Sequence, residues 1–282
     1  MRRVLITGAA GRLGRCTVAL FTAEGIAVTA LVLSPHERVD ADRVVVGDAR
    51  DLDVVRDALQ DADVVVHLAA LPSPNSGTAE EVFCGNTAAT FTVLEQSALA
   101  GVQHAVIASS QAVSGLPFGP QPRHPAYFPI DEQIPLHVAD PYSLSKATDE
   151  LAAAMMWWRH GLNVCALRFP YLGDADTTLR ARARRFHDDP SLGVAEQWAY
   201  LEWHDAARAC LLAAIRPLSG TQVVMVAAPR TLVQYPTESL LDKFLPDVPR
   251  RRFFAGNEVP LDLRRAHELL GFEAGYVWTP AP

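Results

Sequence analysis

Hydrophobic and polar positions alternate in blocks along the first 170 residues. Short apolar runs predict strands over residues 4–7, 27–33, 43–47, 63–68, 104–109 and 163–169. Between them, apolar residues recur at helical spacing, which predicts helices after the first strand and over residues 52–60, 80–100 and 141–160. Regular alternation of strands and helices predicts an α/β fold with a doubly wound parallel sheet that helices cover on both faces.

Beyond residue 170 the pattern becomes irregular. We expect a dinucleotide-binding domain over residues 1–170 and a smaller C-terminal, substrate-binding part over 171–282, with residues 200–228 returning to the sheet. A short helix is predicted over 262–270. The proline-rich stretch 116–141 is too long for a simple connection, and loops of this length are typically lids or binding segments.

Composition narrows the class of protein. Of the 282 residues, 49% are hydrophobic and 20% charged, which is typical of a globular chain with a real core. The net charge of −7 gives no basic footprint for nucleic acid, and no apolar stretch is long enough for a membrane span. The four cysteines stand far apart, which indicates reduced thiols and a cytoplasmic protein.

Three glycines follow the first predicted strand at three-residue spacing: Gly8, Gly11 and Gly14. A turn without Cβ atoms lets the backbone approach a pyrophosphate, and the helix that follows presents free N–H groups to it. The spacing differs from the common G-x-G-x-x-G fingerprint, and glycines also mark ordinary tight turns. Because the turn lies between a strand and a helix, we interpret it as a nucleotide site in a Rossmann-type sheet.

A tyrosine and a lysine stand four residues apart near the start of the predicted helix 141–160. Tyr142 and Lys146 therefore share one face of that helix. A tyrosine ionises near ~10 in water, and a neighbouring ammonium favours its phenolate. Ser109 and Ser110 end the fifth strand at the same sheet edge. Taken alone, the pair is more often an ordinary surface pair; with the glycine turn and the serines it indicates a proton-transfer site.

These motifs resemble, in order, those of the extended short-chain dehydrogenase/reductase family, the NAD-dependent epimerase/dehydratase group. The resemblance covers residues 1 to about 170 and is most similar to uronate dehydrogenase-type sugar oxidoreductases. The motifs that carry it are Thr7–Gly14 as TGAAGRLG, Gly47-Asp48, His67-Leu68-Ala69-Ala70, Asn86-Thr87, Ser109-Ser110 and Tyr142-x-x-x-Lys146.

The resemblance implies catalysis by Ser110, Tyr142 and Lys146, and it implies most of a cofactor site. With two loop residues added from charge considerations, the predicted cofactor-binding residues are Gly8, Gly11, Arg12, Leu13, Gly14, Ser34, Arg38, Asp48, Ala49, Leu68, Ala69, Ala70, Asn86, Ser109, Tyr142, Lys146, Phe169 and Pro170. The predicted substrate-binding residues are Ser73, Ser110, Gln111, Tyr142 and Arg180, the last from a basic run on a predicted helix. A solvated helix face is the simpler interpretation of that run.

Two departures from the family pattern bear on chemistry. Val32 stands where NAD-preferring members end the second strand with an acid, so Arg12, Ser34, His36 and Arg38 are candidates to receive a 2′-phosphate. These four are otherwise ordinary solvated loop residues, and NADP is favoured only slightly over NAD. Gln111 follows Ser110 where sugar dehydratases carry an acid pair, which disfavours dehydration.

The sequence thus predicts an NAD(P)-dependent oxidoreductase. It would move a hydride between nicotinamide and a carbinol or carbonyl carbon of a sugar, uronic acid or related polyol. A nucleotide-sugar 4-epimerase is the first alternative. A non-catalytic NAD(P)-sensing regulator is the second, and the presence of Tyr142 and Lys146 argues against it. The histidines show no metal-ligand spacing, so no metal site is expected.

Two predicted helices suggest a homodimer. Residues 151–158 are all apolar, so the helix over 142–160 is apolar around its whole axis, and the helix over 80–100 is similar. One side packs on the sheet, and the other would leave Met and Trp side chains in water unless a second subunit covers it. The alternative is a monomer in which C-terminal residues cover these helices.

Overall fold

The computed structural model describes residues 2–119, 123–216 and 218–279. The strands are β1 (Arg3–Thr7), β2 (Ala27–Val32), β3 (Arg43–Val46), β4 (Val64–His67), β5 (His104–Ser110), β6 (Asn163–Phe169), β7 (Tyr171–Gly173), β8 (Tyr200–Glu202) and β9 (Thr221–Met225). The α-helices are α1 (Arg12–Ala23), α2 (Leu52–Ala58), α3 (Ala79–Leu99), α4 (Pro141–His160), α5 (Arg180–Asp188), α6 (Trp203–Ile215) and α7 (Thr237–Phe244).

The predicted doubly wound parallel sheet is confirmed. Seven parallel strands lie in the order β3-β2-β1-β4-β5-β6-β9, while β7 and β8 form a separate parallel pair. The strand order reverses between β1 and β4, which pair directly through Thr7 and His67 at their carboxyl ends. In open α/β sheets this reversal creates the crevice in which ligands bind.

Alternating side chains of the strands build a core on each face of the sheet. Val4 and Ile6 of β1 pack in a cluster with apolar residues of α1 and α6, whereas Leu5 packs in a cluster with residues of α2, α3 and α4. Both clusters are fully buried at their centres. The two-sided burial explains why the parallel strands are continuous apolar runs in the sequence.

A third cluster organises the C-terminal part of the chain. Trp198, Tyr200 and Leu241 are its buried centre, and they pack with Phe128 and Ile130 from the proline-rich stretch. The division at residue 170 grouped that stretch with the sheet domain. In the structure its apolar side chains instead supply part of the third cluster, in which Phe128 and Ile130 are entirely buried. The stretch therefore joins the substrate-facing part to the sheet.

The N-termini of four α-helices that cover the sheet are capped by side chains. Asp51, Thr78, Asp140 and Glu202 cap α2, α3, α4 and α6 respectively. The N-cap of α1 is Gly11, which has no side chain to cap the helix, and the first turn of α1 has no acidic residue. Helix α1, which follows the glycine turn, thus keeps free backbone amide donors of the kind that side-chain caps satisfy in the capped helices.

None of the helices formed by the described residues has the length and apolar character needed to cross a membrane. The four cysteines, all within the described ranges, are free thiols.

Candidate active site

A cleft of about 580 Å³ lies beyond the carboxyl ends of β1, β4, β5 and β6. Its volume is within the range of small-molecule sites in proteins. Fourteen of the predicted site residues line it: Gly8, Gly11, Arg12, Leu13, Gly14, Leu68, Ala70, Ser109, Ser110, Gln111, Tyr142, Lys146, Phe169 and Pro170. The proline-rich stretch adds Pro117 and Phe118, and the C-terminal part adds Tyr171, Glu196 and Trp203.

The glycine turn is a close-packed cradle at one end of this cleft. Gly8 has a φ of +63°, and a Cβ there would lie 2.7 Å from the backbone nitrogen of Ala69. A Cβ at Gly14 would overlap the carbonyl oxygen of Gly8. Neither position admits a side chain, so the turn stays narrow and brings the uncapped amides of α1 to the cleft. This geometry fits the pyrophosphate of a dinucleotide.

Helix α4 delivers the catalytic candidates to the middle of the cleft. Asp140 accepts a hydrogen bond from the backbone nitrogen of Ser143 at 2.8 Å, and Pro141 opens the helix. This start fixes Tyr142 and Lys146 on the face that lines the cleft. The ring of Phe118 meets the Tyr142 ring edge-on, with 5.9 Å between centroids. Tyr142 therefore has an apolar wall on its exposed side.

The ammonium of Lys146 is deeply buried and has a carboxylate partner. Its Nζ lies 3.1 Å from Oδ2 of Asp149, and both side chains are almost wholly inaccessible. Burial lowers the pKa of Lys146, but Asp149, together with Tyr142 and Glu150, more than offsets this, so the pKa of Lys146 is raised overall. Burial raises the pKa of Asp149, and Lys146 opposes that rise. Lys146 accordingly carries its positive charge at neutral pH.

A buried histidine connects the strand ends behind this pair. The Nδ1 of His67 lies 2.8 Å from Oγ1 of Thr7, and its Nε2 lies 3.2 Å from Oγ1 of Thr90. Burial, with a contribution from Lys146, lowers the pKa of His67 to about 3. His67 is therefore neutral near neutral pH, and it ties the residue before the glycine turn to α3.

A second buried ion pair supports the β5 end of the cleft. Nε and Nη2 of Arg168 each donate to a different oxygen of Glu150 at 2.8 Å. The hydroxyl of Ser109 donates to Oε1 of Glu150 at 2.6 Å. Ser109 was predicted to bind cofactor, but its side chain is committed to Glu150, which leaves the hydroxyl of Ser110 nearer to open space. Ser110 Oγ accepts one bond, from the Ala112 amide at 3.1 Å.

Asn86 and Arg180, both predicted to contact ligands, have other partners. The amide of Asn86 bonds both backbone groups of Leu71, at 2.8 and 3.1 Å, and the hydroxyl of Ser145. It shapes the loop after β4 and does not line the cleft. Arg180 is exposed and lies 3.5 Å from Asp176. The geometry supports a ligand contact for neither residue.

The remaining predicted residues lie outside the cleft lining, and their ligand contacts stay predictions. Leu33 and Ser34 donate their backbone amides to Glu37 Oε2, at 3.0 and 3.1 Å. Asp48 forms a 2.6 Å ion pair with Arg50, whose side chain lowers the pKa of that carboxyl. Ser73 bonds Ser76. The other residues in this group are Arg38, Ala49 and Ala69.

The C-terminal part closes the cleft through polar side chains. Gln111 Nε2 donates to Gln197 Oε1 at 2.5 Å and to the Glu196 carbonyl at 3.3 Å. Glu196 is paired with Arg182, and the Arg182 guanidinium lies 3.9 Å over the ring of Tyr171. Gln111 directly follows Ser110, so this cluster lies at the end of the cleft where the sequence predicts the substrate.

Sequence reasoning did not identify Asp149, Arg182 or Arg168 as site residues. Asp149 lies three residues after Lys146, a helical spacing that puts the two on one face. Arg168 is an arginine inside an apolar strand, which signals a buried partner. Arg182 had no signal that set it apart from Arg180. Across residues 2–119, 123–216 and 218–279, His, Cys, Asp and Glu side chains form no group that would hold a metal ion.

Comparison with known proteins agrees with this geometry. The model of the NAD dependent epimerase/dehydratase family matches residues 4–227. The chain therefore belongs to that family, and it is an NAD(P)-dependent enzyme of the short-chain dehydrogenase/reductase type.

Curated relatives include sugar dehydrogenases and an epimerase. L-arabinose 1-dehydrogenase (NAD(P)(+)) from Haloferax volcanii is 32% identical over 62% of this chain and 69% of the relative. UDP-glucose 4-epimerase from Azospirillum brasilense is 33% identical over 62% of this chain and 50% of the relative. Uronate dehydrogenase from Pseudomonas syringae pv. tomato is 27% identical over 59% of this chain and 58% of the relative. The chain thus matches about half to two thirds of the length of these relatives.

Solved structures match along nearly the whole chain. A short-chain dehydrogenase/reductase superfamily protein from Agrobacterium tumefaciens with bound NAD has a TM-score of 0.73 at 25% identity, covering 98% of this chain and 93% of that one. UDP-glucose 4-epimerase from Thermotoga maritima has a TM-score of 0.73 at 19% identity, covering 98% and 94%. The second likeness shows the fold alone.

The cradle can be tested with two glycines that share a left-handed backbone. A Cβ at Gly8 meets the Ala69 backbone, whereas a Cβ at Gly25, with a φ of +71°, meets no atom within 4 Å. We expect Gly8→Ala to weaken NAD(P) binding about tenfold or more, because the turn must open. Gly25→Ala should lose only stability, about 1 kcal/mol, with unchanged affinity. Calorimetric titration and thermal unfolding measure both, and equal affinities in the two variants would contradict the cradle.

Proposed function

We propose that this protein is an NAD(P)-dependent dehydrogenase that oxidises a carbinol carbon of a neutral sugar or sugar-derived polyol. The observation that carries the proposal is one cleft in which Ser110, Tyr142 and Lys146 lie beside the glycine turn. The names of the arabinose and uronate dehydrogenase relatives support the dehydrogenase activity, and the arabinose relative supports a neutral sugar as substrate.

In this proposal a bound nicotinamide cofactor would accept the hydride. The glycine turn and Phe169 would line its binding site. Ser110 holds the substrate hydroxyl, since its Oγ has spare hydrogen-bonding capacity. The phenolic oxygen of Tyr142 takes the hydroxyl proton as the hydride leaves carbon. The buried ammonium of Lys146 stabilises the phenolate that makes Tyr142 a base. Phe118 excludes water from one side of the Tyr142 ring.

The charges in the cleft favour a neutral substrate. Among the described residues that line it, Arg12, Lys146 and Glu196 are charged. Arg12 belongs to the cofactor end and Lys146 to the proton-transfer site. At the substrate end, the charge of Glu196 is paired with that of Arg182, so the described lining offers hydrogen-bond acceptors for sugar hydroxyls and no free cation for a uronate or a diphosphate. Arg182 is held by Glu196 and Tyr171.

A nucleotide-sugar 4-epimerase remains the second candidate, because it uses the same three catalytic side chains and the Azospirillum brasilense relative bears that name. It needs room to turn a ketone and a grip on a diphosphate. Because Arg182 is paired with Glu196, the described residues at the substrate end offer no free cation for that grip. A regulatory protein would have no use for a buried Tyr142–Lys146 arrangement.

Tyr142→Phe tests the assignment of the base. We expect it to lower kcat for oxidation of L-arabinose ~10²–10⁴-fold, the usual contribution of a general base, with cofactor affinity nearly unchanged. Reduced nicotinamide formation measures the rate, and wild-type enzyme should oxidise L-arabinose in preference to a uronate or UDP-glucose. Full activity in Tyr142→Phe would remove the proposed function.

The cofactor preference rests on opposing charges at the end of β2. Val32 removes the acid that usually binds the ribose hydroxyls, and the exposed Arg12 favours a 2′-phosphate. Glu37, held by the Leu33 and Ser34 amides, brings a carboxylate back to the same loop. We propose that NADP binds at least as well as NAD.

Competitive titration of the two cofactors tests this preference. We expect Val32→Asp to favour NAD by about five- to tenfold, since an added carboxylate near a 2′-phosphate costs about 1 kcal/mol or more. Val32→Asn is the uncharged control and should change the ratio little. If wild-type enzyme strongly prefers NAD and Glu37→Gln abolishes that preference, Glu37 binds the ribose and the proposal is wrong.

We also propose a homodimer built on α3 and α4. Leu151 and Trp158 of α4 are 71% and 84% exposed, and Phe91 and Leu99 of α3 are also exposed. Large apolar side chains clustered on two adjacent helices favour burial against a second copy about a two-fold axis. A cytoplasmic location, which the four free cysteines support, is part of the same proposal.

Leu151→Arg tests this interface. Leu151 is a better choice than Met155 of the same helix, because Met155 also packs against the core on the sheet side. We expect the wild type to have the mass of two chains by light scattering and Leu151→Arg to have the mass of one. Leu192→Arg, at a 49% exposed site away from both helices, should remain a dimer. A monomeric wild type would contradict the interface.

A further inference from the structure

The main partner of the Asp149 carboxylate is Lys146, and the hydroxyl of Thr90 on α3 adds a weaker interaction that helps to hold the pKa of Asp149 down. Oδ2 of Asp149 lies 3.1 Å from the Lys146 ammonium, while its Oδ1 is buried without a full hydrogen-bond partner. The next residue, Glu150, is different: Arg168 and Ser109 together engage both of its oxygens. A carboxylate retained for structure is normally satisfied at both oxygens, because an unpaired buried acceptor is destabilising. The position of Asp149 therefore calls for another explanation.

From this contrast we propose that Asp149 is a positioning residue that holds the Lys146 ammonium and weakens its pull on the Tyr142 phenolate. The proposal rests on the proposed function, in which Tyr142 is the base. Lys146 lies one helical turn from Tyr142 and within an ion-pair distance of Asp149. The positive charge of Lys146 attracts both the carboxylate of Asp149 and the phenolic oxygen of Tyr142. The carboxylate therefore reduces how strongly Lys146 stabilises the phenolate.

The other groups around Lys146 provide less of this effect, and Glu150, which also raises the pKa of Lys146, acts more weakly than Asp149. On α4, Glu150 is neutralised by the bidentate contact with Arg168 of β6. On β4, His67 is neutral, since burial keeps its pKa at about 3. From α3, Thr90 bonds His67 and Asp149, and Asn86 bonds Ser145; neither residue titrates. Asp149 is thus the one uncompensated negative charge next to Lys146 among the described residues.

The sign of the effect follows from charge alone. Removing the negative charge at residue 149 removes the competing attraction on the Lys146 ammonium. The ammonium then stabilises the Tyr142 phenolate more strongly. Proton abstraction then begins at lower pH. Lys146 also loses the partner that raises its pKa, so it loses its proton more easily at high pH. The active pH range should move downward at both ends.

Asp149→Asn is the test, because it removes the charge and keeps the shape. We expect the acid limb of kcat/KM for sugar oxidation to move down by about one pH unit, the lower end of the shift caused by a nearby charge. Asp149→Ser removes the same charge and admits water, so it serves if the Asn variant does not fold. Glu95→Gln, which removes a carboxylate bound to His160 on the same helix pair, should leave the limb in place.

A measurement without cofactor or substrate separates this inference from the proposed function. The near-ultraviolet phenolate absorbance that Tyr142→Phe removes reports ionisation of Tyr142 directly. Its midpoint should move to lower pH in Asp149→Asn. If both the midpoint and the acid limb match the wild type in the Asn and Ser variants, or move upward, Asp149 does not act on Tyr142 and the inference is overturned. If Tyr142→Phe is fully active, the proposed function fails instead.

Discussion

The turn from β1 into α1 works only without side chains at two positions. The Gly8 carbonyl occupies the space that a Cβ of Gly14 would need, and the Ala69 backbone occupies the space beside Gly8. This close packing fixes the start of α1 against the ends of β1 and β4, and it leaves the first amides of the helix uncapped. The cleft exists because these backbones approach one another, and the buried His67 fastens the same strand ends from behind.

Helix α4 then adds chemistry to a site that the glycine turn has shaped. Its capped start fixes Tyr142 and Lys146, and its next turn carries two carboxylates with different surroundings. Glu150 is saturated by Arg168 and supports the β5 end of the cleft. Asp149 pairs with Lys146, and its Oδ1 lacks a full hydrogen-bond partner. In the proposed function, one helix would supply the proton-transfer group, the charge beside it and the residue that moderates that charge.

The fold and the cofactor end could be predicted because they depend on local signals. The apolar runs of the strands, the spacing of the glycines and the interval between Tyr142 and Lys146 each span only a few neighbouring residues. The substrate end depends on contacts between distant segments. Gln111 meets Gln197 and Glu196 only after the C-terminal part folds over the sheet. Within the basic run, tertiary packing decides that Arg182 turns inward onto Tyr171 while Arg180 stays in water.

The central claim is that a hydride moves from a neutral sugar to nicotinamide with Tyr142 as base, and isotope transfer tests it directly. L-arabinose deuterated at C1, incubated with wild-type enzyme and oxidised cofactor, should yield reduced cofactor that carries deuterium at C4 of the nicotinamide, in amounts equal to the oxidised sugar. Sugar that is epimerised with no net reduced cofactor would identify an epimerase. Reduced cofactor free of deuterium would move the oxidation to another carbon of the sugar, whereas epimerised sugar without reduced cofactor would contradict the account.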